Sequence, residues 1–177
     1  MYISYYLDGK FVDEIINIIN KYDGEFDRDE GICTIKGDQT RNIVNLFEQK
    51  TLKKIIPIQN LSENIFYLHH IKYNKGGSQE RHDHPRDQYS FILYLNDADG
   101  DTVFETPINK RVTPEKGKMI VFDAKILHYA LPSFKGKEVL VGAIKWGIIM
   151  AYLNVNIPPT YAQIKREYLY DLQKHHG

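Results

Sequence analysis

This 177-residue chain predicts a mainly β protein: an antiparallel β-sandwich or jelly roll with helices packed on one side. Three observations carry that reading. Helical periodicity is confined to the two ends. The middle breaks into short runs of branched and aromatic residues, divided by Gly, Pro, Asn and Asp. Helices and strands do not alternate as a parallel sheet requires.

Asp8-Gly9 reads as a turn before a helix, because FVDEIINIINKY places Phe11, Ile15, Ile18, Ile19 and Tyr22 at helical spacing. Asp23-Gly24 stops it, and a short strand is expected at Ile32–Ile35. Asp38 or Thr40 could cap a second helix from Arg41 to Lys54, with Ile43, Val44, Phe47 and Leu52 inward and Pro57 beyond its end. The period then changes. IFYLHHIKY (Ile65–Tyr73) has no polar face and reads as a buried strand, followed by a turn at Asn74–Ser78. Further strands are expected at Gln88–Asn96, Thr102–Glu105, Arg111–Thr113, Met119–Phe122 and Glu138–Trp146, separated by NDADGD, Pro107–Asn109 and PEKGK. Pro158-Pro159 breaks the chain, and Thr160 could cap a last helix through Lys174, with Tyr161, Ile164, Tyr168, Leu169 and Leu172 inward. The organisation expected is a single domain over 1–177. A helical N-terminal support (1–60) would precede a jelly-roll core (61–147) and a helical C-terminal extension (148–177).

Composition excludes several classes. With 23 Lys+Arg against 23 Asp+Glu, the chain lacks the basic surplus of a salt-driven nucleic-acid binder. Its one cysteine, Cys33, forms no internal disulfide, so a disulfide-stapled scaffold is ruled out. The longest apolar run, Trp146–Leu153, falls far short of the ~20 residues of a membrane span. No basic segment followed by an apolar stretch opens the sequence, and the expectation is a cytoplasmic protein.

The histidines concentrate the chemistry. His175 and His176 end the chain and read as solvated. His82-Asp83-His84 differs: in an extended segment His82 and His84 share one face and Asp83 takes the other. Two imidazoles one pleat apart can hold one ion, and His128, at the mouth of the expected sandwich, is the candidate third ligand. Imidazole suits Fe, Zn, Cu or Ni, and three protein ligands leave positions open for catalysis. Surface or hydrogen-bonding histidines explain an H-x-H pair equally well.

From Lys72 to Trp146 the chain resembles the iron(II)- and 2-oxoglutarate-dependent dioxygenases, in particular their prolyl-4-hydroxylase-like branch. The matching pieces run in order: Tyr73-Asn74-Lys75-Gly76-Gly77, His82–His84, the YLN strand ending Tyr94-Leu95-Asn96, Gly100-Asp101-Thr102-Val103-Phe104, Pro114–Phe122, Leu127-His128, Gly136-Lys137 and Lys145-Trp146. The resemblance implies a double-stranded β-helix holding Fe(II), with 2-oxoglutarate as cosubstrate. It also implies hydroxylation of a peptidyl (prolyl) residue or a small molecule, coupled to decarboxylation of 2-oxoglutarate to succinate. In its terms His82, His84 and His128 are the metal ligands and catalytic centre, while Tyr73, Thr102 and a lysine hold the distal carboxylate of 2-oxoglutarate.

Two departures touch this chemistry. His84 stands where the branch has a carboxylate, so Asp83 is the alternative ligand, through a bulge; His82-Asp83-His84-Pro85 with Ser90 resembles an H-x-H-P variant. The cation ten residues after the distal histidine is replaced by Glu138; Lys137 is the adjacent cation, which a one-residue shift in the strand could aim inward, with Lys145 in reserve. Asp83 and Asp87 could accept from imidazole N–H groups, though solvated loop acids are the favoured reading. Trp146 and His69 could line the pocket, though core packing and a hydrogen-bonded core histidine are favoured for them. The competing readings are a three-histidine, cupin-like metal enzyme that does not use 2-oxoglutarate, and a non-catalytic binding domain of the same fold.

Overall fold

The computed structural model describes residues 1–28, 33–58 and 61–145. The expected C-terminal helix, Trp146, His175 and His176 lie outside them. In chain order the elements are β1 (Tyr2–Tyr6), α1 (Gly9–Ile19), β2 (Phe26–Arg28), β3 (Thr34–Thr40), α2 (Gln49–Ile55), β4 (Ile65–His82), β5 (Tyr89–Tyr94), β6 (Thr102–Phe104), β7 (Lys110–Val112), β8 (Lys118–Asp123), β9 (His128–Ser133) and β10 (Glu138–Ile144). The strands are ordered β1-β8-β5-β10-β4-β9-β6-β7, and β3 pairs with both β4 and β2. Every pairing is antiparallel. This is the curled sheet of a jelly roll.

One strand joins its two halves. Residues Ile65–Lys72 of β4 pair with β10, whereas Gly77–His82 pair with β9. The turn expected at Asn74–Ser78 is therefore a bend inside a continuous strand. Gly76 supplies it at φ +79, and the register slips between Gly77 and Gln79. A glycine signal marks a change of direction but does not say by how much.

The helices cover one face. Asp8 caps α1 by accepting from the amides of Lys10 and Phe11 (3.0 and 3.3 Å). The helix buries Val12, Ile15 and Ile19, which pack with Leu52 and Ile55 of α2 against Leu68, Leu93, Val121 and Leu140 of the sheet. Each fully buried aliphatic contributes about 1.5–3 kcal/mol. The opposite face turns Ile71, Tyr73, Ile92, Tyr94, Ile120, Phe122 and Val139 inward, where Phe104 and Val112 meet them.

Further features differ from the sequence expectation, among them β9, which no expected strand covered. The second helix starts at Gln49 rather than Arg41. Asn42 Oδ1 accepts from the amides of both Val44 and Leu68 (3.0 Å each), and the Ile43 amide bonds to Leu68 O, so this stretch is stitched to the sheet edge. The N-terminal segment also supplies strands: β1 pairs with β8 from Tyr2↔Phe122 to Tyr6↔Lys118.

Candidate metal centre

His82 ends β4 and His128 begins β9, and the two are direct cross-strand partners. His84 follows two residues on, its amide bonded to Ala124 O (2.8 Å). The ring centroids lie 4.3 Å (82–128), 4.9 Å (82–84) and 5.4 Å (84–128) apart. One ligand nitrogen from each ring lies within 4.8 Å of the other two, close enough for one ion to gather all three. Asp83 is not part of this cluster and does not line the cleft beside it.

Backbone carbonyls orient two of the rings. His82 Nδ1 lies 2.6 Å from Glu80 O, and His128 Nδ1 lies 2.8 Å from Ile126 O. A carbonyl only accepts, so Nδ1 carries the proton and Nε2 keeps its lone pair for the centre. Neither Asp83 nor Asp87 bonds these rings among the described residues; Asp87 accepts from the Tyr67 hydroxyl (3.2 Å). Burial holds all three imidazoles neutral, pushing His82 down, His84 to about 4 and His128 to about 3. Neutral imidazole is the form that binds a metal. Phe122 buttresses the group, its ring 4.8 Å from that of His128.

The triad opens on a cleft of about 220 Å³ that Tyr67, His69, Ser90 and Val141 also line. Ser90 Oγ is buried without a hydrogen-bond partner among the described residues. A buried hydroxyl left unpaired costs roughly 1–3 kcal/mol, a cost that a molecule bound in the cleft would remove. His69 donates from Nδ1 to Thr40 O (2.8 Å), leaving Nε2 as an acceptor. Cys33, Gln39 and Gln79 also line the cleft. No sequence pattern marked them, because they arrive through the pairing of β3 with β4.

The two lysines lie in different surroundings. Glu138 points outward and bonds His70 Nε2 (3.0 Å), with Lys72 Nζ at 3.7 Å. Alternation then turns Lys137 inward beside Tyr73, where it is 1 % exposed. Its ammonium donates to Gly100 O (2.7 Å) and lies 4.3 Å from the Tyr73 ring centroid. No carboxylate forms an ion pair with it among the described residues; the nearby Asp101 pairs with Arg111. Burial pushes its pKa down to about 8, opposed by Asp101 and Asp99. A buried cation without an anionic partner fits a carboxylate-bearing ligand. Thr102, also on this face, accepts from the Tyr94 hydroxyl (2.7 Å). Lys137, Tyr73 and Thr102 do not line the open cleft; Tyr73 packs behind it with the cleft residues Ile71 and Ile92. Lys145 lies elsewhere, its ammonium 4.2 Å from the Phe66 ring centroid.

No family model matches the chain, and no curated protein matches it. Solved structures do. A prolyl-4-hydroxylase from Pseudomonas putida aligns with a TM-score of 0.61 at 19 % identity, over 82 % of this chain and 93 % of that one. A prolyl hydroxylase from Trichoplax adhaerens, in complex with a hypoxia inducible factor peptide fragment, gives 0.59 at 12 % identity, over 81 % and 83 %. HygX from Streptomyces hygroscopicus, with nickel, 2-oxoglutarate and hygromycin B bound, gives 0.63 at 8 % identity, over 83 % of both chains. The chain has the fold of the 2-oxoglutarate-Fe(II) oxygenases, prolyl-4-hydroxylases included.

Proposed function

We propose that this protein is an Fe(II)- and 2-oxoglutarate-dependent oxygenase that hydroxylates a peptidyl residue or a small molecule. The observation that carries the reading is the pairing, inside one jelly roll, of three converging neutral imidazoles with a buried lysine that forms no ion pair among the described residues. The solved structures that share this fold include one complexed with a peptide fragment and one holding nickel, 2-oxoglutarate and a small molecule.

Each residue has a distinct task. His82, His84 and His128 hold the metal, with Glu80 and Ile126 carbonyls fixing two of the rings. Lys137 receives the distal carboxylate of 2-oxoglutarate, and Tyr73 and Thr102 complete its polar surround. Bound Fe(II) and 2-oxoglutarate supply oxidation by dioxygen, coupled to release of succinate and CO2. Ile71, Ile92, Phe122 and Val141 supply the apolar part of the cleft lining. No Asp, Glu, Lys or Arg lines the cleft among the described residues, which favours an uncharged substrate group there.

Anaerobic protein given Fe(II) and 2-oxoglutarate should show a visible charge-transfer band, and succinate should form on admitting air. A second reading rests on His84, which stands where the branch has a carboxylate. A three-histidine metal enzyme without 2-oxoglutarate would bind metal tightly yet show neither band nor succinate. A non-catalytic domain would bind no divalent metal at all.

A further inference from the structure

We infer that Asn96 is a positioning residue for the cosubstrate pocket: its side chain clamps the backbone on both sides of Lys137 and so aims that lysine at the bound carboxylate. The inference rests on the 2-oxoglutarate reading above.

Both ends of the Asn96 amide are engaged. Nδ2 donates to Gly136 O (2.8 Å), and Oδ1 accepts from the Glu138 amide (2.9 Å). The residue between those two contacts is Lys137. Its carbonyl accepts from the Tyr73 amide (2.9 Å), while the Leu95 amide bonds to Glu138 O (3.0 Å). Lys137 is thus fixed at its own carbonyl and at both flanking residues. A strand entrance is where the chain is freest to rotate, and a one-residue slip there would send the neighbouring Glu138 inward.

The rest of the same turn reinforces the clamp. Asp99 Oδ1 accepts from the Ser133 hydroxyl (2.8 Å) and from the amides of Phe134 (2.9 Å) and Lys135 (3.0 Å). That stills the loop which delivers Lys137. Asp101 O accepts from the Leu131 amide (2.9 Å). Gly100 presents its carbonyl to the Lys137 ammonium, and only glycine fits there: φ is +79, and an added Cβ would stand 2.7 Å from Leu131 O. The Asn96–Asp101 turn therefore holds the backbone of Lys137 through one residue and parks its ammonium on another. Binding of the dicarboxylate exchanges the Gly100 carbonyl for a charged acceptor, a stronger partner for an ammonium.

The test uses the full-length protein and two variants. Asn96→Ala removes both contacts; Asn96→Asp keeps the acceptor and loses the donor, and serves if the alanine variant does not fold. Two quantities are read. Hydrogen exchange at the Glu138 amide, without metal or cosubstrate, reports the clamp directly. Equilibrium dialysis of 2-oxoglutarate against Mn(II)-loaded protein, beside titration with Mn(II) alone, reports its consequence. The expected result for Asn96→Ala is faster Glu138 exchange, a 2-oxoglutarate Kd raised roughly tenfold, and Mn(II) affinity unchanged. Asn96→Asp should fall between. Unchanged Glu138 exchange overturns the clamp whether or not 2-oxoglutarate binds. Faster exchange with an unaltered Kd overturns its role in aiming Lys137. A wild-type protein that ignores 2-oxoglutarate, with exchange still quickened in the variants, sinks the oxygenase reading and the aiming role together but leaves the backbone clamp standing.

Discussion

His82 and His128 face each other as a cross-strand pair between β4 and β9, with ring centroids 4.3 Å apart. Two ligands of the proposed centre are therefore set by sheet register, and only His84 depends on the loop that follows. A one-residue slip of β9 would turn His128 to the other face.

His128→Ala should abolish tight metal binding, lowering affinity for Co(II) by at least roughly 100-fold, since even the outer partners of a ligand are worth 10–100-fold. His84→Ala should weaken binding, while His84→Asp should retain it by restoring a carboxylate. Titration of the metal-free protein with Co(II), followed by its visible spectrum, decides. A His128→Ala protein that binds as wild type refutes the triad.

Asp83→Ala should leave Co(II) affinity within about threefold of wild type, because Asp83 stands apart from the cluster. A loss comparable to that of His128→Ala would assign Asp83 as the ligand after all.

Lys137→Met should change the pH dependence of stability. The folded-state pKa lies at about 8, below its ordinary 10.5, so between those values the unfolded chain binds a proton that the native chain does not. Wild type therefore gains stability as pH rises through that window, on the order of 3 kcal/mol in full. The methionine variant lacks this component. Its advantage over wild type should be largest at about pH 7 and shrink towards about pH 10, read by urea unfolding at each. An advantage that does not vary with pH would contradict the burial of this ammonium.

Gly142→Ala should destabilise the protein by about 1–3 kcal/mol. Its Cβ would fall 2.4 Å from Phe91 Cζ and 2.8 Å from Tyr67 O, and the latter is backbone that cannot swing aside. Thermal unfolding measures the cost. A variant as stable as wild type would show that β10 and β4 are less closely packed than they stand here.

Local signals went far in this chain. Periodicity located α1, and the aspartate before it proved to be its cap. Alternation and turn residues located β5, β6, β7, β8 and β10 to within a few residues, but they ended β4 at Tyr73 and missed β9. The H-x-H spacing named two members of the triad, although β4 ends at His82 and His84 is set by the loop that follows. Other features depend on long-range partners and left no local trace. Asn42 chose the sheet over a longer helix because Leu68 was there to donate its amide to the Asn42 Oδ1 and to accept from the Ile43 amide. The bend at Gly76 became a passage between half-sheets because β9 and β10 were present to pair on either side. Cys33, Gln39 and Gln79 reached the cleft by strand pairing alone. The choice between Lys137 and Glu138 was the same kind of question. Two adjacent residues at a strand entrance are equivalent in sequence, and which one faces inward is set by hydrogen bonds from Tyr73, Leu95 and Asn96, all distant in the chain. The sequence by itself determined which residue types were available and at what spacing, since those follow from backbone geometry that every strand and helix shares. Only the tertiary structure decided which of them meet, since register is a property of two strands and never of one.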